Sequence, residues 1–590
     1  MRAFVARASA KNALMCDKKE TGVETKEWQG RRAGLGQSHV RTAIAAAVVG
    51  QFVILPQAWG LEVETGSPEV KLRWDNTIKY SAAWRLRDPS DVLVNNPPAS
   101  INQDDGDRNF GKGLISNRLD LLSEFDASYR SFGLRLSGAG WYDDVYNKST
   151  DNDSPFTSNA VSVSNDRFTE ATRRLHGRKA EVLDAFVYGR AQLGETTASF
   201  RLGKHSLLWG ESLFFGDNGI AGGQAPVDII KLLSVPNTQF KELIRPTDQL
   251  SAQLQISSTV AIGAYYQFEW EKSRLPAAGS YFSRADFLDA GGERLIVGAP
   301  GGPFAAPPAF MRGDDQKAKS GGQGGVQLRW RSEPMDTDFG FYAIRFHDKG
   351  PAVYLRPSAG APDFLTGQIG TYNLVYAEGI KAFGVSASKS IGAFNIAGEV
   401  SVRRNTPLVS TGGAVLVNPG QLADNNDNPL YPVGNSAHAQ ISVIHTLERS
   451  ALWDGGLFLG EIAWNRRTSV SRNEANLDPN TTRDAAALRM ILSPTWYQAL
   501  PGLDLSAPIG VGYNFGGRSS VISLWNGGWS RAGDLSVGVA GDYLQKWKWG
   551  VTYTRYIGGE GTAVGANNLW SFRQSFKDRD FLSLSVQTTF

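Results

Sequence analysis

Few side chains in this chain are spaced for chemistry. Ser212 stands in Gly210-Glu211-Ser212-Leu213-Phe214, but the second glycine of a nucleophile elbow is missing and no strand-turn-helix pattern surrounds it. His176, His205, His347, His438 and His445 are scattered, His39 lies in the leader, and none forms the His-Glu-x-x-His pair that holds zinc. His445 shares parity with Ile441 and Val443, which points it at lipid, where an embedded lipid hydrolase would want it. No serine and acid complete a triad there, so an interfacial side chain is expected. The run Gly321-Gly322-Gln323-Gly324-Gly325 precedes a strand rather than a helix, which argues against a phosphate cradle. Hard-oxygen chemistry comes closer. Asn102-Gln103-Asp104-Asp105-Gly106-Asp107 offers several donors, and Asp143, Asp144, Asp151 and Asp153 lie in or beside the next loop. Calcium takes such ligands, yet the glycine is one place early for an EF-hand and no Glu closes the loop. A solvated turn is expected, and no catalytic residue, metal or cofactor is assigned.

Whatever the chain does must therefore come from its elements. It has 590 residues, 41% hydrophobic and 11% aromatic, with 65 Gly and 5 Met, enough for a large core or barrel without disordered bias. The net charge of +3 is misleading, because residues 1–60 hold nine Lys/Arg against four Asp/Glu and leave 52 against 54 beyond them. That balance argues against nucleic acid as a partner. The one strongly apolar run, 43–55, follows Arg31, Arg32 and Arg41 and precedes Ala58-Trp59-Gly60. It is too short to span a bilayer and suits a secretory signal, so 1–60 is read as a signal peptide with a long basic leader, cleaved after Gly60. Cys16 falls in that part, and a mature chain without cysteine fits export to an oxidising compartment.

The rest reads as strands. Leu582, Leu584, Val586, Thr588 and Phe590 alternate with Ser583, Ser585, Gln587 and Thr589, the two-residue period of a strand ending on an aromatic carboxy-terminus. Val70, Leu72, Trp74, Ile78, Tyr80, Ala82, Trp84 and Leu86 oppose Lys71, Arg73, Asp75, Thr77, Lys79, Ser81, Arg85 and Arg87. A strand that long, charged along one side, suits a barrel wall with lipid outside and water inside. Leu119, Leu121 and Phe125 oppose Arg118, Asp120 and Glu124 in the same way. Aromatics near strand ends, Trp84, Trp270, Tyr543 and Trp549, are expected in interfacial girdles.

Short turns near 131–133, 194–196, 257–259, 332–337, 390–392, 449–455, 498–503 and 544–547 alternate with nine long polar connections. That pattern predicts eighteen antiparallel strands with short periplasmic turns and long extracellular loops, sixteen being the alternative count.

Arg73-Trp74-Asp75-Asn76-Thr77-Ile78-Lys79-Tyr80, Asn102 to Phe110, Trp209-Gly210-Glu211-Ser212, Pro226-Val227-Asp228 and Gly510-Val511-Gly512-Tyr513-Asn514-Phe515 resemble the proteobacterial outer-membrane barrel family catalogued as domain of unknown function 1302 (DUF1302). The resemblance spans essentially the whole mature chain. It implies an all-β, transmembrane outer-membrane barrel, often encoded near exporters of the resistance-nodulation-division type, and carries over no catalytic residues.

One connection stands apart. Residues 206–248 hold Phe214, Phe215, Ile220, Val227, Ile229, Ile230, Leu232 and Leu233 among glycines, an apolar load unfavourable in water. Folding inward as a constriction, with Pro226 in the first turn of a short helix, would bury it; packing on neighbouring external loops is the alternative. The expected reading is a barrel over 61–590, in the cell outer membrane, that passes small or amphipathic molecules. Trp209, Glu211, Phe214, Phe215, Asp228 and Lys231 would line its constriction, with Glu211 and Asp228 at the opening. Lys71, Arg73, Asp75, Lys79, Arg118, Asp120 and Glu124 would line the lumen, as a selectivity ladder or as wall ion pairs, the latter slightly favoured because the signs alternate. Phe590 would be the assembly signal. Expected partners are outer-membrane lipid, the barrel-assembly machinery and an exporter system. The alternatives are a non-conducting barrel partner of an exporter complex and, third, the embedded hydrolase.

Overall fold

The computed structural model describes residues 61–590 apart from 64, 155, 156, 159, 237 and 239; the expected signal peptide, with Cys16, lies outside them. Eighteen strands form the wall: Val70–Arg85 (β1), Gly113–Tyr129 (β2), Phe132–Asp143 (β3), Arg178–Leu193 (β4), Thr196–His205 (β5), Thr247–Gln255 (β6), Val260–Gln267 (β7), Gln323–Ser332 (β8) and Thr337–Phe346 (β9). They continue as Ile380–Ile391 (β10), Phe394–Pro407 (β11), Val433–Leu447 (β12), Gly455–Arg472 (β13), Asp484–Leu500 (β14), an interrupted strand Leu503–Ser506 plus Ile509–Gly517 (β15), Gly533–Tyr543 (β16), Trp547–Ile557 (β17) and Phe581–Thr589 (β18).

Each strand pairs antiparallel with its sequence neighbours, and β18 pairs with β1 from Thr77↔Thr589 to Arg85↔Phe581, so the sheet closes as an eighteen-stranded antiparallel barrel. Closure removes the unpaired edge that a strand of this length would otherwise present. The seam extends past the last strand: Phe590 exchanges both backbone hydrogen bonds with Asn76 (2.8 and 2.9 Å), and Leu61–Val63 pairs with Leu72 to Trp74.

Burial along the strands inverts that of a water-soluble protein. On β2, Leu119 and Leu121 are about half exposed while Arg118, Asp120 and Glu124 are buried; on β11, Val400 and Val402 are exposed while Glu399, Ser401 and Arg403 are buried. Such alternation places apolar residues on a lipid-compatible outer face and polar ones inside. Two breaks re-aim side chains. A register shift between Leu136 and Gly138 of β3 marks a bulge on β4, so the inward parity moves from Glu181 to Asp184, Phe186 and Tyr188. β15 is cut at Ala507-Pro508, where proline supplies no ladder N–H.

The long connections are not the solvated polar loops that their composition suggests. Five of them, with the wall behind, bring Phe110, Tyr146, Phe168, Tyr281, Trp529 and Phe576 into one buried cluster. One of these, 268–322, joins two others in a separate mixed sheet, in which Ala352–Pro357 pairs with Gln368–Val375 and Ala309–Arg312 of 268–322 pairs alongside. Aromatic and β-branched residues that are isolated within one loop become a core once several loops converge. Trp270 belongs to this region rather than to a girdle. Its ring meets Tyr376 edge-on and its N–H donates to the Asp348 carbonyl. Tyr543, by contrast, is exposed on the outer face, and Trp549 covers the bare backbone of Gly541, where a Cβ would come within 2.4 Å of the ring.

Candidate functional site

Residues 206–246 leave β5 and return as β6, yet they do not stay beside those strands. Trp209 packs edge-on against Tyr265 of β7 (4.9 Å) and stacks with Tyr342 of β9 (6.3 Å), both inward-facing. Ile220 joins Ile344, Phe346 and Ile380 in the same cluster. Further along, Leu213, Phe214 and Phe215 pack against Leu459 and Ala463 of β13 and Ala485, Ala487 and Ile491 of β14. These inward positions of β13 and β14, like Ile344 of β9 and Ala382 of β10, are apolar because they face side chains rather than water.

Backbone polarity fastens the same stretch. The carboxylate of Glu461 on β13 accepts the N–H groups of Leu213 (3.2 Å), Phe214 and Phe215 (2.9 Å) and the Ser212 hydroxyl (3.4 Å). Glu399 on β11 accepts the N–H groups of Glu211 (2.9 Å) and Ile220 (2.6 Å). Successive N–H groups converging on one anion form a nest, which satisfies a buried carboxylate without a cation. The approach is close: Gly210 has φ +95, and a Cβ there would lie 2.2 Å from the Glu399 carboxylate. Asn218 adds a bond to His438 of β12 (3.0 Å), and Arg403 of β11 donates to the Gly219 carbonyl (2.8 Å).

The segment then comes back. Helix Ile229–Ser234 is capped by Asp228, which accepts the Lys231 N–H (3.0 Å). Pro226 is therefore not in its first turn; it sits before the Val227↔Ile244 bridge, where its carbonyl accepts from Arg245 (2.9 Å). Asp228 pairs with Arg274 (2.6 Å), which also binds Glu181 of β4; Lys231 pairs with Glu242 (3.7 Å). Burial alone would lower Arg274, but the hydrogen bond it donates to Glu181 and the charge of Asp228 hold it above the usual guanidinium range. Arg118, Lys231 and Arg274 all lie over the ring of Trp141 on β3, at 4.8, 5.1 and 5.7 Å.

Of the six residues expected to line a constriction, Trp209, Phe214, Phe215, Asp228 and Lys231 are buried and Glu211 is half-buried. The three aromatics and the two charges pack within the segment and its neighbours, Asp228 being buried against Arg274. The seven wall residues share the inner face. Arg73 pairs with Asp75 (2.8 Å) and Arg118 with Asp120 (2.7 Å), while Lys79 is buried between. Glu124 pairs with Arg135 of β3 (2.6 Å) and with Lys241 of the segment.

Two inner charges that water still reaches, Arg135 and Asp184, were missed by sequence reasoning. Arg135, 31% exposed, stands among Glu124, Asp126 (3.8 Å, 34% exposed) and Asp184 (3.5 Å, 23% exposed). Parity along β3 could have named Arg135; Asp184 could not be found, because the β4 bulge turns it inward. His445 stacks face-on against Phe394 on the outer face, 3.9 Å between centroids.

A family model described as a protein of unknown function (DUF1302) matches residues 40–590. Among solved structures, the chain is similar to OccAB3 of Acinetobacter baumannii (TM-score 0.38, 10% identity, 88% of this chain and 99% of that one). It is also similar to OpdK of Pseudomonas aeruginosa with vanillate (0.37, 9%, 88% and 98%) and to OmpT of Vibrio cholerae (0.35, 10%, 90% and 100%). None of the curated proteins matches.

Proposed function

The chain belongs to the DUF1302 family, whose description assigns no function, and we propose that it is an outer-membrane channel through which small or amphipathic molecules diffuse, narrowed by residues 206–248. One observation carries the reading: a segment rooted between β5 and β6 is bonded through its backbone to Glu399 on β11 and Glu461 on β13, strands on the far side of an eighteen-membered ring. Whatever passes must skirt that segment. The charges around Arg135 are of mixed sign, three carboxylates with Arg135 and Lys241, so they would orient polar ends of a solute without selecting strongly for one ion. In this reading the short turns face the periplasm, 1–60 is the export signal, Phe590 directs assembly, and an exporter supplies or receives the cargo.

Replacing 214–233 by a short glycine linker should leave the barrel folded, since wall hydrogen bonds do not involve the segment. Single-channel conductance should rise and discrimination fall. Unchanged conductance would refute the constriction. A second reading, a non-conducting barrel that works with an exporter, is favoured by the five loops packed into one buried core. Intact protein that never conducts in planar bilayers, at any voltage, would favour it over the channel.

A further inference from the structure

The turn expected to be solvated is among the least accessible parts of the molecule. Asp104 is 6% exposed and Asp105 0%, and Asp286, from the connection 268–322, is also 0%. One carboxylate oxygen from each lies within 4.8 Å of the others. Their hydrogen bonds do not use up these oxygens. Asp105 accepts the Ser158 N–H (3.1 Å) and the Asn152 amide (3.5 Å), and one Asp286 oxygen accepts the Asp105 N–H (3.2 Å). The other, Oδ1, is shut away from water with no hydrogen-bond partner among the described residues.

The charges nearby do not balance this group. Next to it, Arg85 and Arg579 meet Asp107 and Asp578 at 2.7 to 2.9 Å, two cations for two anions. In the trio, Arg108 pairs with Asp104 (2.8 Å). Arg294 acts on Asp105 through its charge, but spends its guanidinium hydrogen bond on the Thr157 carbonyl (2.9 Å). A surplus of buried carboxylates is stable only with protons or a cation.

We propose that Asp104, Asp105 and Asp286 bind a calcium ion that clamps the connection 86–112 to the connection 268–322. All-oxygen donors select a hard cation. Calcium tolerates an irregular set drawn from distant loops, whereas magnesium demands octahedral geometry and keeps several waters, for which this enclosed position has no evident access. Such a clamp would set how firmly the long-loop end is packed, whichever way the barrel functions.

The test uses full-length mature protein folded in detergent and stripped with chelator. Equilibrium dialysis with metal analysis should show one calcium per chain, at the submillimolar to millimolar affinity usual for extracellular sites. At ten times its Kd, calcium should slow proteolysis within 86–112 and 268–322 about tenfold. Asp286→Asn, which keeps the shape and removes the charge, should abolish both effects while preserving heat-modifiable migration in gels; Asp105→Asn serves as a second variant. Folded wild-type protein that takes up no calcium at millimolar concentration would overturn the proposal. So would folded variants that bind like wild type, or protection by magnesium equal to that by calcium. Should neither variant fold, the dialysis and the mapped protection of the wild-type chain decide.

Discussion

Two sectors of the inner wall face the same lumen and are finished in different ways. On β11 and β13, Glu399 and Glu461 are buried with no ion-pair partner among the described residues, and their charge is met by backbone N–H groups of the segment that lies on them. On β2 to β4, buried Glu124 and partly wet Asp126 and Asp184 surround Arg135, which is itself partly wet. Both sectors present carboxylates on the inward parity of their strands. The difference teaches that an inward acid in a barrel can be a fastening point or stay open to water, and that its neighbours across the lumen decide which.

The strongest challenge to this contrast is Glu461→Ala. Three buried N–H groups would lose their acceptor at about 1–3 kcal/mol each, less whatever relaxation recovers. The expected outcome is a large loss in urea stability together with new protease cuts in 206–246, and a variant as stable as wild type would remove the fastening role. Next comes the parity on which the comparison rests. Val586→Lys, on the outer face, should cost roughly 2–4 kcal/mol in a bilayer. Gln587 sits across from Lys79 and Lys548 on the inner face, so a lysine there would meet two like charges and blur the contrast. Gln587→Glu should instead change stability by less than about 1 kcal/mol, and equal losses at 586 and 587 would mean the faces are misassigned. The smallest effect on stability belongs to Arg135→Ala. Arg135 and two of its three partners are partly exposed, and Glu124 keeps Lys241, so unfolding should shift by less than about 1 kcal/mol, while reversal potentials in a salt gradient should move toward cations as Glu124, Asp126 and Asp184 lose their counter-charge. That selectivity should fade above about 1 M salt, where charge reaches only some 3 Å. An Arg135→Ala variant as unstable as Glu461→Ala would make the two sectors equivalent.

The wall was legible residue by residue. Alternation such as Arg118, Asp120 and Glu124 against Leu119, Leu121 and Phe125 is enforced by the pleat of each strand, and short turns such as 131–133 place consecutive strands side by side. The strand count and the inner and outer faces therefore followed from local spacing, as did the apolar surplus that marks 206–248. The contacts that give the inward acids their roles were not legible in that way. Phe214 and Glu461 are 247 residues apart, and Asp105 and Asp286 are 181 apart. Neither pair leaves a periodic trace, because partners brought together across a lumen or between loops obey no shared backbone register. Nor could spacing show that the β4 bulge would turn Asp184 inward, or that Trp270 would leave the girdle for a core built from several loops. Period two is a property of one strand's backbone and can be read one residue at a time. Burial and hydrogen bonding depend on what the closed ring brings opposite each side chain, and that was decided only in three dimensions.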